Sequence, residues 1–435
     1  MAKTAPMNET IYEPLLDTES SMMVFLGEPS VTTISLFKDV DHANSVTYLK
    51  QRLTLICQAN PWIAGRLIKD KTKHKDNVIL AMPSSIHEHD VDTIFSTEED
   101  SILTPLNTTT PFSHLCTTID KSSAMVPIGY RLIGRDQRVT KFTFIQNKDK
   151  NECFLIVSMT HAVVDGHTYY KIMSMLTEQQ DITSLSFRRK HEFVPQMKEA
   201  TGIQEYKMLT SPGMLMSMIP AMICGTPALC HARFVDVAEV ERIKTEASAR
   251  TSSSSASFAC STNDILTSTF AQAIPADLIF MATNFRERVP LVTDMDAGNY
   301  ESVIVYDQAS TTTPEAIRAS LRAGIPFQRV GGNPLPGFWK LLRTRYGMIT
   351  NWAFSEFRAD LTLRTESNEE APMALHLPIM SPSFAIFPIA VIFRPCEGKL
   401  AVLYMGSARD LQMKRLEASG APLGPSLNEV MFAEA

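Results

Sequence analysis

Apolar and polar positions follow two periods along the chain, and each change of period marks an element. Val31 to Phe37 is mostly β-branched or apolar and predicts a strand, whereas Ala43 to Ala59 places Val46, Leu49, Leu53 and Ile56 at helical spacing. Asn60-Pro61 ends that helix, because the residue before a proline is driven out of the helical region. Thr140 to Gln146 alternates Phe142 and Phe144 with polar neighbours, Asn147 to Asn151 supplies a turn, and Glu152 to Met159 is a near-continuous apolar run. Such a run predicts a strand covered on both faces. Beyond it, Thr168 to Gln179 carries Tyr169, Ile172, Met173 and Leu176 on one helical face, so His161 to Gly166 is expected to form a strand-to-helix turn that exposes side chains to a cleft.

From Asp181 to Cys230 the pattern is irregular, with Arg188-Arg189-Lys190, scattered prolines and a methionine-rich run, and it predicts a long connection between lobes. After it, Ala232 to Val237 predicts a strand and Ala238 to Ala249 a helix, with a serine-rich loop at Thr251 to Ser255. Asn263 to Ala273 predicts a helix capped by Ser261 or Thr262, and Ala385 to Phe393 and Leu400 to Met405 predict strands joined through Glu397-Gly398-Lys399. A chain of 435 residues exceeds what one core usually supports. The expected division is an N-terminal lobe at 1–180, a crossover at 181–230 and a C-terminal lobe at 231–435. Strands alternate with helices in both halves, which favours mixed α/β sandwiches.

Composition removes several classes of function. With 41 basic and 47 acidic residues the net charge is -6, which offers no basic face for nucleic acid. The seven cysteines are scattered without a Cys-x-x-Cys pair, so reduced thiols are expected, with no metal site. The leader, Met1 to Ser20, has no continuous apolar run and carries Glu9, Glu13, Asp17 and Glu19, unlike a secretory signal or transit peptide, so a cytoplasmic location is expected. Met208 to Cys230 has no charged residue and five methionines and is long enough to reach across a bilayer. Its three prolines and two glycines argue against a spanning helix and for a buried crossover or a tunnel wall, with membrane contact as the alternative.

The strongest chemical signal is His161-Ala162-Val163-Val164-Asp165-Gly166 at the end of the buried strand. An imidazole titrates near neutrality and suits removal of a proton from an alcohol, amine or thiol. Asp165, behind a tight turn, is expected to fix the turn and hence the ring rather than to touch substrate. Gly166 permits either a positive φ or a close approach. A histidine satisfied by backbone groups is the bland alternative, and His167, at the start of the helix, is expected to face elsewhere.

These residues resemble the His-x-x-x-Asp-Gly element of the acyltransferase superfamily that includes chloramphenicol acetyltransferase, the plant BAHD acyltransferases and the condensation domains of nonribosomal peptide synthetases. Further segments resemble the superfamily in the same order: Asn60-Pro61-Trp62-Ile63-Ala64-Gly65-Arg66-Leu67, the helix start Ser261-Thr262-Asn263-Asp264-Ile265-Leu266, Asn284-Phe285-Arg286-Glu287-Arg288-Val289-Pro290 with Gly298-Asn299, and Met348-Ile349-Thr350-Asn351-Trp352. Together they span roughly residues 30–410. Two departures stand out. The proline after Arg286 and Arg288 comes one residue early, and Phe357-Arg358-Ala359-Asp360-Leu361 stands where plant members carry Asp-Phe-Gly-Trp-Gly.

The resemblance implies two α/β lobes with a channel between them, His161 at its middle, and acyl-CoA and a small-molecule acceptor entering from opposite faces. It implies His161 as general base, Asp165 paired with Arg286 or Arg288 as a lock between the lobes, and an oxyanion donor in Thr350-Asn351-Trp352, with Asn351 first and Trp352 second. Ser261 and Thr262 could hold a CoA phosphate at the helix start or simply cap it. CoA is then a co-substrate, with no permanently bound cofactor, and a monomer suffices. A single histidine preceded by Thr160 favours free CoA over a carrier-bound donor. The rival expectations are a condensation-type catalyst and a non-catalytic binding protein of the same fold.

Overall fold

The computed structural model describes residues 9–20, 30–70, 78–98, 102–147, 149, 151–224, 228–251, 259–321, 327–353, 361–381, 386–407, 411 and 413–428. Four strands of the first half matter to the site: β1 (Val31–Lys38), β2 (Phe95–Glu98), β3 (Thr140–Asn147) and β4 (Glu152–Met159). Eight follow: β5 (Leu229–Val235), β6 (Leu278–Asn284), β7 (Glu301–Asp307), β8 (Tyr346–Asn351), β9 (Leu375–Pro378), β10 (Ile389–Phe393), β11 (Ala401–Gly406) and β12 (Leu423–Ser426). They form a five-stranded sheet, β9-β1-β4-β3-β2, and a seven-stranded sheet, β7-β6-β8-β10-β11-β5-β12. Strand β9, late in the chain, pairs with β1 and so completes the first sheet.

Alternation within each strand builds the layers. Ile34 and Leu36 of β1 and Phe154 and Ile156 of β4 share one buried cluster with Phe234 of β5, Val391 and Phe393 of β10 and Leu403 of β11, so the two sheets pack face to face. The opposite face of the first sheet is covered by helix α1 (His42–Ala59), with Leu49, Leu53 and Ile56 buried, and by α2 (Gly166–Ser174). Central strand β4 is buried at all eight positions, as its near-continuous apolar sequence requires.

Three expectations need correction. Helix α2 ends at Ser174, not Gln179. Arg52 donates to the carbonyls of Met175, at 2.7 Å, and Thr177, at 2.8 Å, and thereby takes acceptors that a further helical turn would have used. The irregular stretch 181–230 contains three helices: one at Phe193–Thr201, α3 (Ile203–Leu209) and α4 (Pro212–Cys224), the last with Pro220 inside it. The prolines and unbroken apolarity of α4 hid its helical period. Helix α5 (Thr262–Ala273) begins one residue before its expected start, with Ser261 as N-cap, and among the described residues no helix is long and apolar enough to cross a membrane. The serine-rich loop beyond Thr251, the Phe357 to Asp360 departure and the Ala385 end of the predicted strand lie outside the described residues.

Candidate active site

The turn that follows β4 is fixed by Asp165, whose side chain caps α2 by accepting from the Thr168 amide at 2.8 Å. The same carboxylate accepts from the Tyr300 amide at 3.1 Å and from Arg286 at 2.6 Å, with both charged side chains 1% exposed. Burial alone would push the Asp165 carboxyl up, but the Arg286 guanidinium and the Thr168 amide hold it below its ordinary value. Arg286 also donates to the carbonyls of Asp296 and Gly298 at 2.9 and 2.8 Å and so joins the second half of the chain to the His161 turn. Arg288 instead lies over the Phe327 ring. Gly166 is the first residue of α2 and is not among the glycines of positive φ. The positive φ belongs to Gly298, at +142°, where a Cβ would come within 3.1 Å of Arg189 and Tyr300.

His161 lines a cavity of about 560 Å³ together with Asp165, Gly166, Ser261, Arg288, Glu301, Asn351 and Trp352. Its Nδ1 is 3.0 Å from Asn299 Oδ1, and its Nε2 is 3.5 Å from the carboxylate of Glu301. Asn299 Nδ2 faces two groups that can only accept, the His161 carbonyl at 2.7 Å and Glu19 at 3.4 Å. The amide orientation is thereby fixed, Oδ1 must accept from His161 Nδ1–H, and the lone pair of the neutral ring resides on Nε2. Glu19 is held in turn by Arg189 at 2.8 Å, both fully buried, and Arg189 donates to the Val163 carbonyl of the same turn.

Other expected site residues occupy defined places. Asn351 Oδ1 accepts from the Ala353 amide at 2.8 Å, which turns Nδ2 toward Asn263 at 3.4 Å. The Trp352 backbone amide is bonded to Ile392, so its remaining donor is the indole, and the ring packs edge-on to Tyr170. Ser261 and Asp264 form a reciprocal capping box, and Arg318 pairs with Asp264 at 2.6 Å. Thr262 is the first residue of the helix so capped. Among the described residues no group of three or more histidine, cysteine or acidic side chains could hold a metal ion.

No family model and no curated protein matches the chain. Solved structures do. TRI101 of F. sporotrichioides, complexed with coenzyme A and T-2, aligns over 96% of this chain and 100% of its own with 12% identity and a TM-score of 0.59. The TRI3 trichothecene 15-O-acetyltransferase from Fusarium sporotrichioides aligns over 97% and 95% with 8% identity and a TM-score of 0.58. The first condensation domain of the CDA synthetase aligns over 96% and 98% with 12% identity and a TM-score of 0.54. This chain has the chloramphenicol-acetyltransferase-like fold.

Within that fold, four residues that the sequence left without a role gather around His161. Asn299 stood in a Gly-Asn pair, Glu19 in the leader and Arg189 in the crossover, while Glu301 begins β7, a strand the sequence pattern did not disclose. Glu19 and Arg189 are 170 residues apart, and no periodicity links them. His167, expected to face elsewhere, lines the same cavity as His161 and is buried beside Asp294, at 3.1 Å. Burial, then Arg286, holds its imidazole down at about 4, and burial does the same for His376, which bonds Ser35 and Tyr170.

These depressed values set a pH dependence. Once unfolded, both imidazoles take up a proton near 6.5, whereas folded they resist until about 4. Their contribution to stability is therefore complete above pH 6.5 and lost as the pH falls to about 4. A thermal midpoint that declines across this window, and declines less steeply in His376→Gln, is the expected result; equal slopes would refute it.

Proposed function

We propose that the protein transfers an acyl group from acyl-CoA to a hydroxyl or amine of a hydrophobic small molecule, with His161 as general base. The observation that carries this reading is the 3.0 Å contact of His161 Nδ1 with Asn299 Oδ1, which assigns the basic nitrogen to Nε2, on the side of Glu301 within the cavity. Nε2 takes the proton of the acceptor as its oxygen or nitrogen attacks the thioester carbonyl. The resulting imidazolium returns that proton to the departing CoA sulfur as the tetrahedral intermediate collapses. A carboxylate at the distance of Glu301 stabilises the imidazolium between these two steps.

The intermediate's oxyanion needs a donor, and Asn351 Nδ2 is the first candidate because its orientation is already fixed; the Trp352 indole is the second. Arg288 and Arg318, which line the same cavity as Ser261 and Asn263, supply positive charge for the phosphates of CoA as a diffusible co-substrate. Asp165, Arg286 and Gly166 hold the turn and act through His161. Phe280, Met281, Met348 and Phe387 give the cavity an apolar lining suited to a hydrophobic acceptor. A relative of the same fold is an O-acetyltransferase by name, which favours a hydroxyl over an amine. A condensation domain shares the fold as well, so a carrier-bound thioester is the second reading.

The test is acceptor-dependent release of free thiol from acetyl-CoA and longer acyl-CoAs over a panel of alcohols and amines. Release from free acyl-CoA supports the first reading, and turnover only with a carrier-bound thioester supports the second. Asn299 separates positioning from mere structure. Asn299→Leu frees the tautomer and should lower kcat by about 10²- to 10⁴-fold. Asn299→Asp places a charge at Nδ1 and should move the acidic limb of the pH–rate profile upward, because a carboxylate favours the imidazolium. An unmoved limb in an active Asn299→Asp variant would refute the assignment of Nδ1 to Asn299.

A further inference from the structure

Two stretches of the chain, 206–235 and 316–355, contain no aspartate or glutamate, although the whole carries a net charge of -6. The structure brings them together. Helix α6 (Phe338–Leu341), from the second stretch, lies against α4, from the first. A Cβ at Gly213 of α4 would meet the Phe338 ring at 3.0 Å, and Leu341 is buried in the same cluster as Met214 and Met218.

The inner face of α4 is accounted for, because Met214 and Met218 are buried and Met214 lines the cavity that holds His161. Its outer face is not. Met216, Ile219 and Ile223 fall three and four residues apart on one stripe, with Ile223 76% exposed, and Trp339, on the helix packed against α4, is 79% exposed. An apolar patch of this kind, bearing a tryptophan, marks an interaction surface rather than ordinary solvent-facing residues. Lys207, Lys340 and Arg343, all exposed, belong to the same two stretches.

We infer that this face of α4 and α6 docks onto the surface of a membrane leaflet containing anionic lipid. Charge selects that occupant. A second copy of the chain meeting the same face symmetrically would set these cations against one another, whereas an anionic headgroup layer attracts all of them. Contact is peripheral, with Trp339 and the α4 stripe at the boundary between headgroups and acyl chains. It also has a consequence for the cavity. Tyr206 and Leu209 of α3 and Met214 of α4 line it from within, so the element that touches lipid is also a wall of the site. Docking does not require the acyl-transfer reading, and either can fail without the other.

The experiment is co-sedimentation of the full chain with vesicles of phosphatidylcholine, with and without phosphatidylglycerol, alongside tryptophan emission. Trp62 is buried and Trp352 is half-buried in the cavity, so a blue shift on vesicle addition that is lost in Trp339→Phe reports on Trp339. Binding is expected to the anionic vesicles, with the partition coefficient falling by about fivefold for each of Lys340→Gln and Arg343→Gln. It should fall more than about tenfold in the double variant Trp339→Ser/Ile223→Ser. These side chains are exposed, and an unchanged thermal midpoint checks that the variants fold. Failure of the wild type to bind anionic vesicles would overturn the inference, as would binding indifferent to Trp339 and Ile223. So would a dimer in solution that the double variant abolishes while vesicle binding is absent.

Discussion

Replacing Arg286 with alanine should destabilise the protein by about 3–5 kcal/mol, because the change strands the Asp165 carboxylate without a counter-charge in a site closed to water. The two backbone amides at Asp165 remain, but neither carries a full charge. Adding Asp165→Asn to Arg286→Ala removes the stranded charge and should restore a large part of the loss, so the two changes are far from additive. The pH dependence has a definite sign. With Arg286 present the Asp165 carboxyl titrates below its ordinary 3.8, so the pair's contribution is present above that value and lost as the pH falls below it. Without Arg286, burial pushes the carboxyl up and it protonates sooner. The gap between wild type and Arg286→Ala in urea unfolding should therefore narrow as the solution is acidified. A gap that stays constant, or a loss below about 1 kcal/mol, would show that the buried pair does not lock the turn.

The same pair shows what the sequence could and could not disclose. Strand β4 and the turn after it were legible because eight consecutive buried positions leave an unmistakable apolar run, and the His161 to Gly166 spacing is local. The resemblance supplied the idea that Asp165 meets an arginine of the second half. Choosing Arg286 over Arg288 required the fold, since neighbouring arginines of one segment look alike until the backbone aims them. Asn299, Glu19 and Arg189 escaped because their roles arise from contacts between distant segments, and each residue is unremarkable in its own stretch. Helix α4 escaped for another reason: apolar on both faces, it has no period to read.

The other large effect concerns His161. Its removal leaves the cavity, the fixed amide of Asn351 and the two arginines in place, so binding and part of the oxyanion stabilisation should survive. What the proposed mechanism loses is its base, with the lone pair directed to Nε2 by Asn299, a contribution of about 10²- to 10⁴-fold in rate. The side chain is 17% exposed and is not a core packing element, so the variant should fold. The most direct test is free-thiol release from acyl-CoA by wild type and His161→Ala in parallel, each with and without the acceptor that supports the fastest turnover. Acceptor-dependent release that falls by at least about 10²-fold in the variant, with acyl-CoA still raising its thermal midpoint, is the predicted result. Undiminished release by the variant would contradict the assignment of His161 as the base, and a wild type that neither binds acyl-CoA nor turns it over would contradict the CoA-dependent reaction itself.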